Sequence, residues 1–198
     1  MHHALSFLSL SLLLFYFLLK FIRKTNAGQP FFFFLVFLIS SLALTVPISK
    51  IEVKNFSNFF FITHIVITII GLGGLFSALI YSYIYFLEEK KLKEKKFHFP
   101  ENIFPSLERS NLLSYKSLRD GYILYSIGIF MGYFWSYKTK GILTNFTLKE
   151  SFAFISWLFF GVLYFFQKKY GWRGKKILLM YLIGFISILL AIAGIRIF

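Results

Sequence analysis

No cysteine occurs among these 198 residues. That excludes a disulfide framework, thiolate metal centres and a cysteine nucleophile within the chain. Acidic residues are scarce too, eight Asp and Glu against 22 Lys and Arg, and histidine is confined to His2, His3, His64 and His98. With so few carboxylates and imidazoles a hydrolytic site is hard to assemble. Neither a P-loop, a His-Glu-x-x-His pair nor a Ser/His/Asp set occurs. Charged residues make up 15% of the chain, too little for a soluble domain of ordinary composition. The formal net charge of +14 does not point to nucleic acid, because the basic residues sit in short segments between apolar blocks and leave no room for a soluble basic face.

What the sequence has in quantity is apolar and aromatic residues, 58% and 22%. They fall in six blocks, roughly Ala4–Ile22, Pro30–Ser49, Phe59–Leu87, Gly121–Tyr137, Phe152–Phe166 and Ile177–Phe198. Each reaches across the roughly 30 Å hydrocarbon layer as a helix, the fifth only just. The expected fold is therefore all-α, a polytopic membrane helix bundle of about six transmembrane helices. The first block lacks a basic n-region and is long for an h-region, so it reads as a retained span. Lys and Arg crowd the first, third and fifth connections, with Lys20, Arg23 and Lys24, then eight residues from Lys90 to Arg119, then five from Lys168 to Lys176. Under the positive-inside rule those connections are cytoplasmic and both termini external, as is the Lys138–Ser151 loop. The third connection is the one sizeable polar segment. Glu88–Lys96 continues the third helix, supported by Glu89 and Lys93 at i,i+4. Pro105–Leu118 reads either as a short interfacial helix, for which its amphipathic pattern is weak, or as a solvated connector, the favoured reading.

Three features bear on chemistry. His64 stands about one and a half turns inside the third block. An imidazole there can ligate a metal, move a proton or hydrogen-bond to a neighbouring helix; position alone slightly favours the hydrogen bond. Gly71, Gly74 and Ala78 share one face of that block, and Gly128 and Gly132 form a Gly-x-x-x-Gly pair in the next, which predicts close helix approach. Tyr133, Phe134, Trp135 and Tyr137 lead into the fourth connection, and Phe146, Phe152 and Trp157 follow around Lys149 and Glu150. This is either an interfacial aromatic belt, the simpler reading, or a platform for a planar hydrophobic ligand.

Several short motifs recur in order: His64 opening a span that runs through Gly and Ala to Tyr83-Ile-Tyr-Phe-Leu-Glu-Glu, then Pro105-Ser-Leu-Glu-Arg109, Gly128-x-x-x-Gly132-x-x-Trp135, Lys149-Glu150 with Ile155-Ser-Trp157, and Gly171-Trp-Arg-Gly174. From His64 onward this order resembles the cytochrome c assembly family, in the branch of CcsA, CcmC and HemX. The resemblance implies two N-terminal transmembrane helices over 1–50, and an assembly domain over 51–198 with four more and a cytoplasmic loop at about 88–119. It further implies a multi-pass protein of the cytoplasmic (inner) membrane that handles haem b on the external face and is not a conventional enzyme. Its expected partners are membrane lipid, an assembly membrane protein and apocytochrome c, and not nucleic acid. His64 would ligate the iron. Trp135, Phe146, Lys149, Glu150 and Trp157 would surround the ring, with Lys138, Lys140 or Lys149 beside its propionates.

The chain also departs from the family. The tryptophan-rich pattern WGxxWxWDPKE is replaced by Lys140-Gly-Ile-Leu-Thr-Asn-Phe146-Thr-Leu-Lys-Glu150, with Phe146 nearest to a central tryptophan and Thr147 in place of Asp. The family's His late in the next span falls at Phe165 or Phe166, and its external His after the last span has no counterpart, leaving His2 or His3 as other external imidazoles. These losses define an alternative expectation, a haem-free regulatory or scaffold subunit of HemX type. A small transporter ranks third, since no charge stands at mid-membrane.

Overall fold

A computed structural model describes residues 2–24, 26, 28–45, 59–95, 105–143 and 147–193. They form six helices: α1 (His2–Arg23), α2 (Gln29–Thr45), α3 (Phe59–Lys93), α4 (Leu107–Lys140), α5 (Leu148–Tyr170) and α6 (Lys175–Ala193). No strand occurs among the described residues. Each of the six apolar blocks has become one helix, so the helical bundle expected from sequence is the fold found. α3 and α4 are the central antiparallel pair. α1 and α2 pack on α3, α5 packs on α4, and α6 closes the bundle against α5 and α3. A single core cluster runs through all six, from Leu8 and Leu12 in α1 through Ile39, Leu75, Leu118 and Phe160 to Tyr181 in α6. The helices before and after residue 50 thus share one interior.

By length and composition three helices are apolar and long enough to cross a bilayer, over Leu5–Ile22, Phe59–Lys93 and Glu150–Tyr170, and α2 is a shorter apolar helix. Large apolar side chains also point outward, among them Phe21, Phe34, Phe37, Phe130 and Phe165. In water such a surface would aggregate; in lipid it is the solvated face.

Small residues hold the central pair together. A Cβ added at Gly71 would meet the Tyr125 backbone N at 2.5 Å, and one at Gly74 would meet the Gly121 Cα at 2.6 Å. Backbone therefore lies directly on backbone, as the Gly71–Gly74–Ala78 face predicts. Gly73, on the other side of α3, takes the Ser11 carbonyl of α1 in the same way, at 2.7 Å.

The connector expected over Pro105–Leu118 is instead the first three turns of α4. Ser106 caps the helix, its Oγ accepting from the Arg109 N–H at 3.4 Å, so the chain enters helix directly after Pro105. The segment is buried through Ser110, Leu113, Ser114, Ser117 and Leu118. Ser114 Oγ donates to the Ala78 carbonyl at 3.1 Å, and Ser110 Oγ donates to Glu88 Oε2 at 3.2 Å. A stripe of serines seats against α3 by hydrogen bonds where an apolar stripe would seat by burial. The loop expected at about 88–119 accordingly shrinks to the stretch between α3 and α4.

The α4–α5 seam carries a polar pair with a readable direction. Ser156 Oγ donates to the Ala153 carbonyl at 2.7 Å, so Tyr125 Oη, 2.8 Å from Ser156 Oγ, is the donor between the two. Both side chains are buried. Tyr125→Phe removes only a donor and should cost about 0.5–1 kcal/mol. Ser156→Ala strands a buried phenol and should cost more, about 1–3 kcal/mol. Equilibrium unfolding in detergent checks the order; equal losses would contradict it.

Candidate functional site

The end of the bundle where α3 begins, α4 ends and α5 begins gathers most of the residues that sequence reasoning singled out. His64 lies in the first third of α3, and its ring rests on α4. A Cβ at Gly132 would stand 2.6 Å from His64 Cε1. The Gly-x-x-x-Gly pair is thus the seat of an imidazole as well as a packing device. His64 Nδ1 lies 2.6 Å from the Gly128 carbonyl, with Thr68 Oγ1 at 3.4 Å. A carbonyl only accepts, so Nδ1 carries the proton, and the neutral ring has its lone pair on Nε2. The interhelical hydrogen bond favoured from sequence is present, and it also fixes the tautomer.

One turn nearer the helix ends, Trp135 packs on Phe61 with ring centroids 4.8 Å apart, and Phe134 meets Phe60 at 5.3 Å. The Trp135 Nε1–H is buried and has no hydrogen-bond partner among the described residues. Lys138 Nζ lies 5.6 Å from the centroid of the Phe134 ring. Phe61 and Thr68 were not picked out from the sequence; their offsets of three and four residues from His64, which put them on its face of α3, are the signal that finds them.

Trp157 lies elsewhere. Its Nε1–H donates to Ser126 Oγ at 2.8 Å, and its ring stacks on Tyr122 at 6.3 Å and meets Phe130 edge-on at 5.9 Å. Tyr122, Ser126 and Phe130 occupy the face of α4 turned to α5, whereas Gly128, Gly132 and Trp135 occupy the face turned to α3. The single platform spanning Trp135 and Trp157 is therefore not formed: α4 stands between the two indoles. The Trp157 side belongs to an aromatic ladder, Tyr122 on Tyr164 at 6.1 Å and Tyr164 on Tyr115 at 5.9 Å, that zips α4 to α5.

Glu150 begins α5. Thr147, in the place of the family's Asp, caps that helix, its Oγ1 accepting from the Glu150 N–H at 3.4 Å. Thr147-Leu-Lys-Glu150 therefore has the spacing of a capping box. Asp and Thr are both good N-caps, so the exchange keeps the start of the helix. Phe146 and the side chains of Lys140, Lys149, His2 and His3 lie outside the described residues. Among those described, no group of three or more His, Asp or Glu gathers to hold a metal ion.

The family model described as cytochrome C assembly protein matches residues 1–198. The chain belongs to the cytochrome c assembly protein family. The match includes α1 and α2, ahead of the stretch where the motifs begin. Curated relatives agree. The cytochrome c biogenesis protein CcsA of Prochlorococcus marinus strain AS9601 is 33% identical over 93 residues, 47% of this chain and 30% of that protein. Its counterpart in strain MIT 9215 is 30% identical over the same length and with the same coverage, and that of strain MIT 9515 is 32% identical. The similarity thus spans about 30% of the length of these relatives. No solved structure matches the chain significantly.

Haem is the cofactor that resemblance to this family implies, and the residues on the α3 side of α4 fit one side of it. An imidazole whose Nδ1–H is held by a backbone carbonyl has the second-shell support typical of a metal-ligating histidine. The Trp135 Nε1–H, without a partner among the described residues, is a donor suited to a carboxylate. Among the described side chains no second histidine lies beside His64.

Proposed function

We propose that this protein acts in cytochrome c biogenesis, handling haem at the external face of the cytoplasmic membrane, where His64 would hold the iron, with no covalent chemistry of its own. The observation that carries this reading is the His64 seat, where Gly132 makes room for the ring and Gly128 holds Nδ1–H, so the lone pair belongs to Nε2. Bound haem would supply an iron centre that takes such a nitrogen. The protein's own residues would do the rest. Trp135 would offer Nε1–H to a propionate, with Lys138 nearby as counter-charge. The Phe61 and Trp135 rings would wall the site, and Glu150 would hold the start of α5. The excess of Lys and Arg at the opposite end of the bundle supports placing the His64 end outside. Apocytochrome c and a partner membrane protein of the assembly machinery are the expected recipients and collaborators.

The test is an absorption spectrum of the detergent-purified protein with haem supplied, beside His64→Ala. A Soret band in the wild type, lost in the variant, is expected. A colourless wild type would sink the ligand assignment. It would leave a second reading, a haem-free regulatory or scaffold subunit, which the separation of Trp135 from Trp157 by α4 favours.

A further inference from the structure

At the opposite end of the bundle, where α3 ends and α6 begins, a cavity of about 520 Å³ opens between the two helices. That is within the range of small-ligand sites, about 300–1,000 Å³. Phe86, Tyr170 and Trp172 form its apolar wall, and Lys90, Lys93, Arg173, Lys175 and Lys176 its rim. The wall is rigid. Trp172 stacks on Phe166 at 4.4 Å, and the chain turns into α6 through Gly174 at φ +69°.

The one carboxylate in the lining is already committed. Glu89 Oε1 pairs with Lys93 Nζ at 2.9 Å. Its Oε2 lies so near Gly174 that an added Cβ there would approach it to 2.6 Å. Lys90 reaches Glu94 only loosely, at 3.9 Å. Among the described residues no carboxylate pairs with Arg173, Lys175 or Lys176. Three closely placed cations thus border a concavity with no described carboxylate paired to them, beside a Tyr and a Trp, the residues that settle at headgroup depth. Cations placed only to orient a chain need neither a cavity nor aromatic walls.

We infer that this cavity binds the phosphate of an anionic phospholipid headgroup, with Arg173, Lys175 and Lys176 as its ligands and Trp172 and Tyr170 against the glycerol and upper acyl region. A phosphate presents several acceptor oxygens to Arg and Lys donors, and an interfacial basic pocket between helices is suited to such a headgroup. A zwitterionic lipid carries the same phosphate with a neutralising cation and gains less.

Native mass spectrometry of the full-length protein, with phosphatidylglycerol and phosphatidylcholine offered in equal amounts, tests this. Wild type should retain phosphatidylglycerol preferentially. The variant R173Q/K175Q/K176Q should lose the preference, by about 5-fold per cation. The single exposed substitution Arg173→Gln should lose part of it without threatening the fold. The charge-matched variant K20Q/K24Q/R109Q, outside the cavity, should keep it. Equal retention of both lipids by the wild type, or equal losses in the two triple variants, would overturn the site. Displacement of phosphatidylglycerol by millimolar inorganic phosphate would overturn the lipid as its source.

Discussion

Gly71→Ala and Gly121→Ala should each destabilise the protein by about 1–3 kcal/mol, the cost of overpacking, although alanine is the better helix former by about 1 kcal/mol. The sign follows from what the new methyl meets. At Gly71 the nearest atoms are Tyr125 N, Tyr125 Cα and the Leu124 carbonyl carbon; at Gly121 they are Leu75 N and the Gly74 carbonyl carbon, at 2.6 and 2.7 Å. All are backbone and cannot turn aside, so the two central helices must separate. Separation also strains the hydrogen bond from Ser114 to Ala78. Gly161→Ala is the contrast. Its nearest neighbour, at 2.6 Å, is the Tyr122 hydroxyl, the far end of a side chain, and the loss should be smaller. Helicity followed through a denaturant titration in detergent reads all three. Gly71→Ala at wild-type stability would mean that α3 and α4 are not in backbone contact.

The second large effect is spectroscopic, and it separates ligation from packing. His64→Ala removes both the ring and its donor to Gly128. It should cost about 1–2 kcal/mol in stability and also abolish a haem spectrum. His64→Asn places an amide N–H near the former Nδ1 and offers no imidazole nitrogen. It should stay within about 0.5 kcal/mol of wild type, since the hydrogen bond is kept, yet bind no more haem than the alanine variant. A Soret band that survives in His64→Asn would show that His64 does not ligate the iron. A band lost in His64→Ala but not in His64→Asn would trace the loss to folding.

The six helices were legible because lipid-facing helices are apolar over most of their surface, and that signal is strong in α1, α2 and α3. The start of α4 was not legible from periodicity. Its buried face carries Ser110, Ser114 and Ser117 beside Leu113 and Leu118, and a hydropathy pattern scores buried serine as surface. The cap at Ser106 was the readable sign, beside a Pro105 that otherwise suggests a break. In the site, the glycine spacing announced close approach but not that Gly132 seats His64. That depends on the rotation of α3 against α4, which one chain's sequence does not display. The same rotation put Trp135 and Trp157 on opposite sides of α4, although both flank one connection in the sequence.

The length of α3 has a consequence outside the bilayer. Thirty-five residues make a rod of about 52 Å. A tilt of about 40°, the top of the usual range, stretches the path through a roughly 30 Å layer only to about 39 Å. At least about 10 Å of the rod must therefore stand clear of the hydrocarbon, and α4, with 34 residues, stands alongside it. Together they make a mast. A soluble molecule meeting the ends of these two helices, at Lys93 and at Leu107, would be held off the lipid by a fixed height, set by serines and glycines.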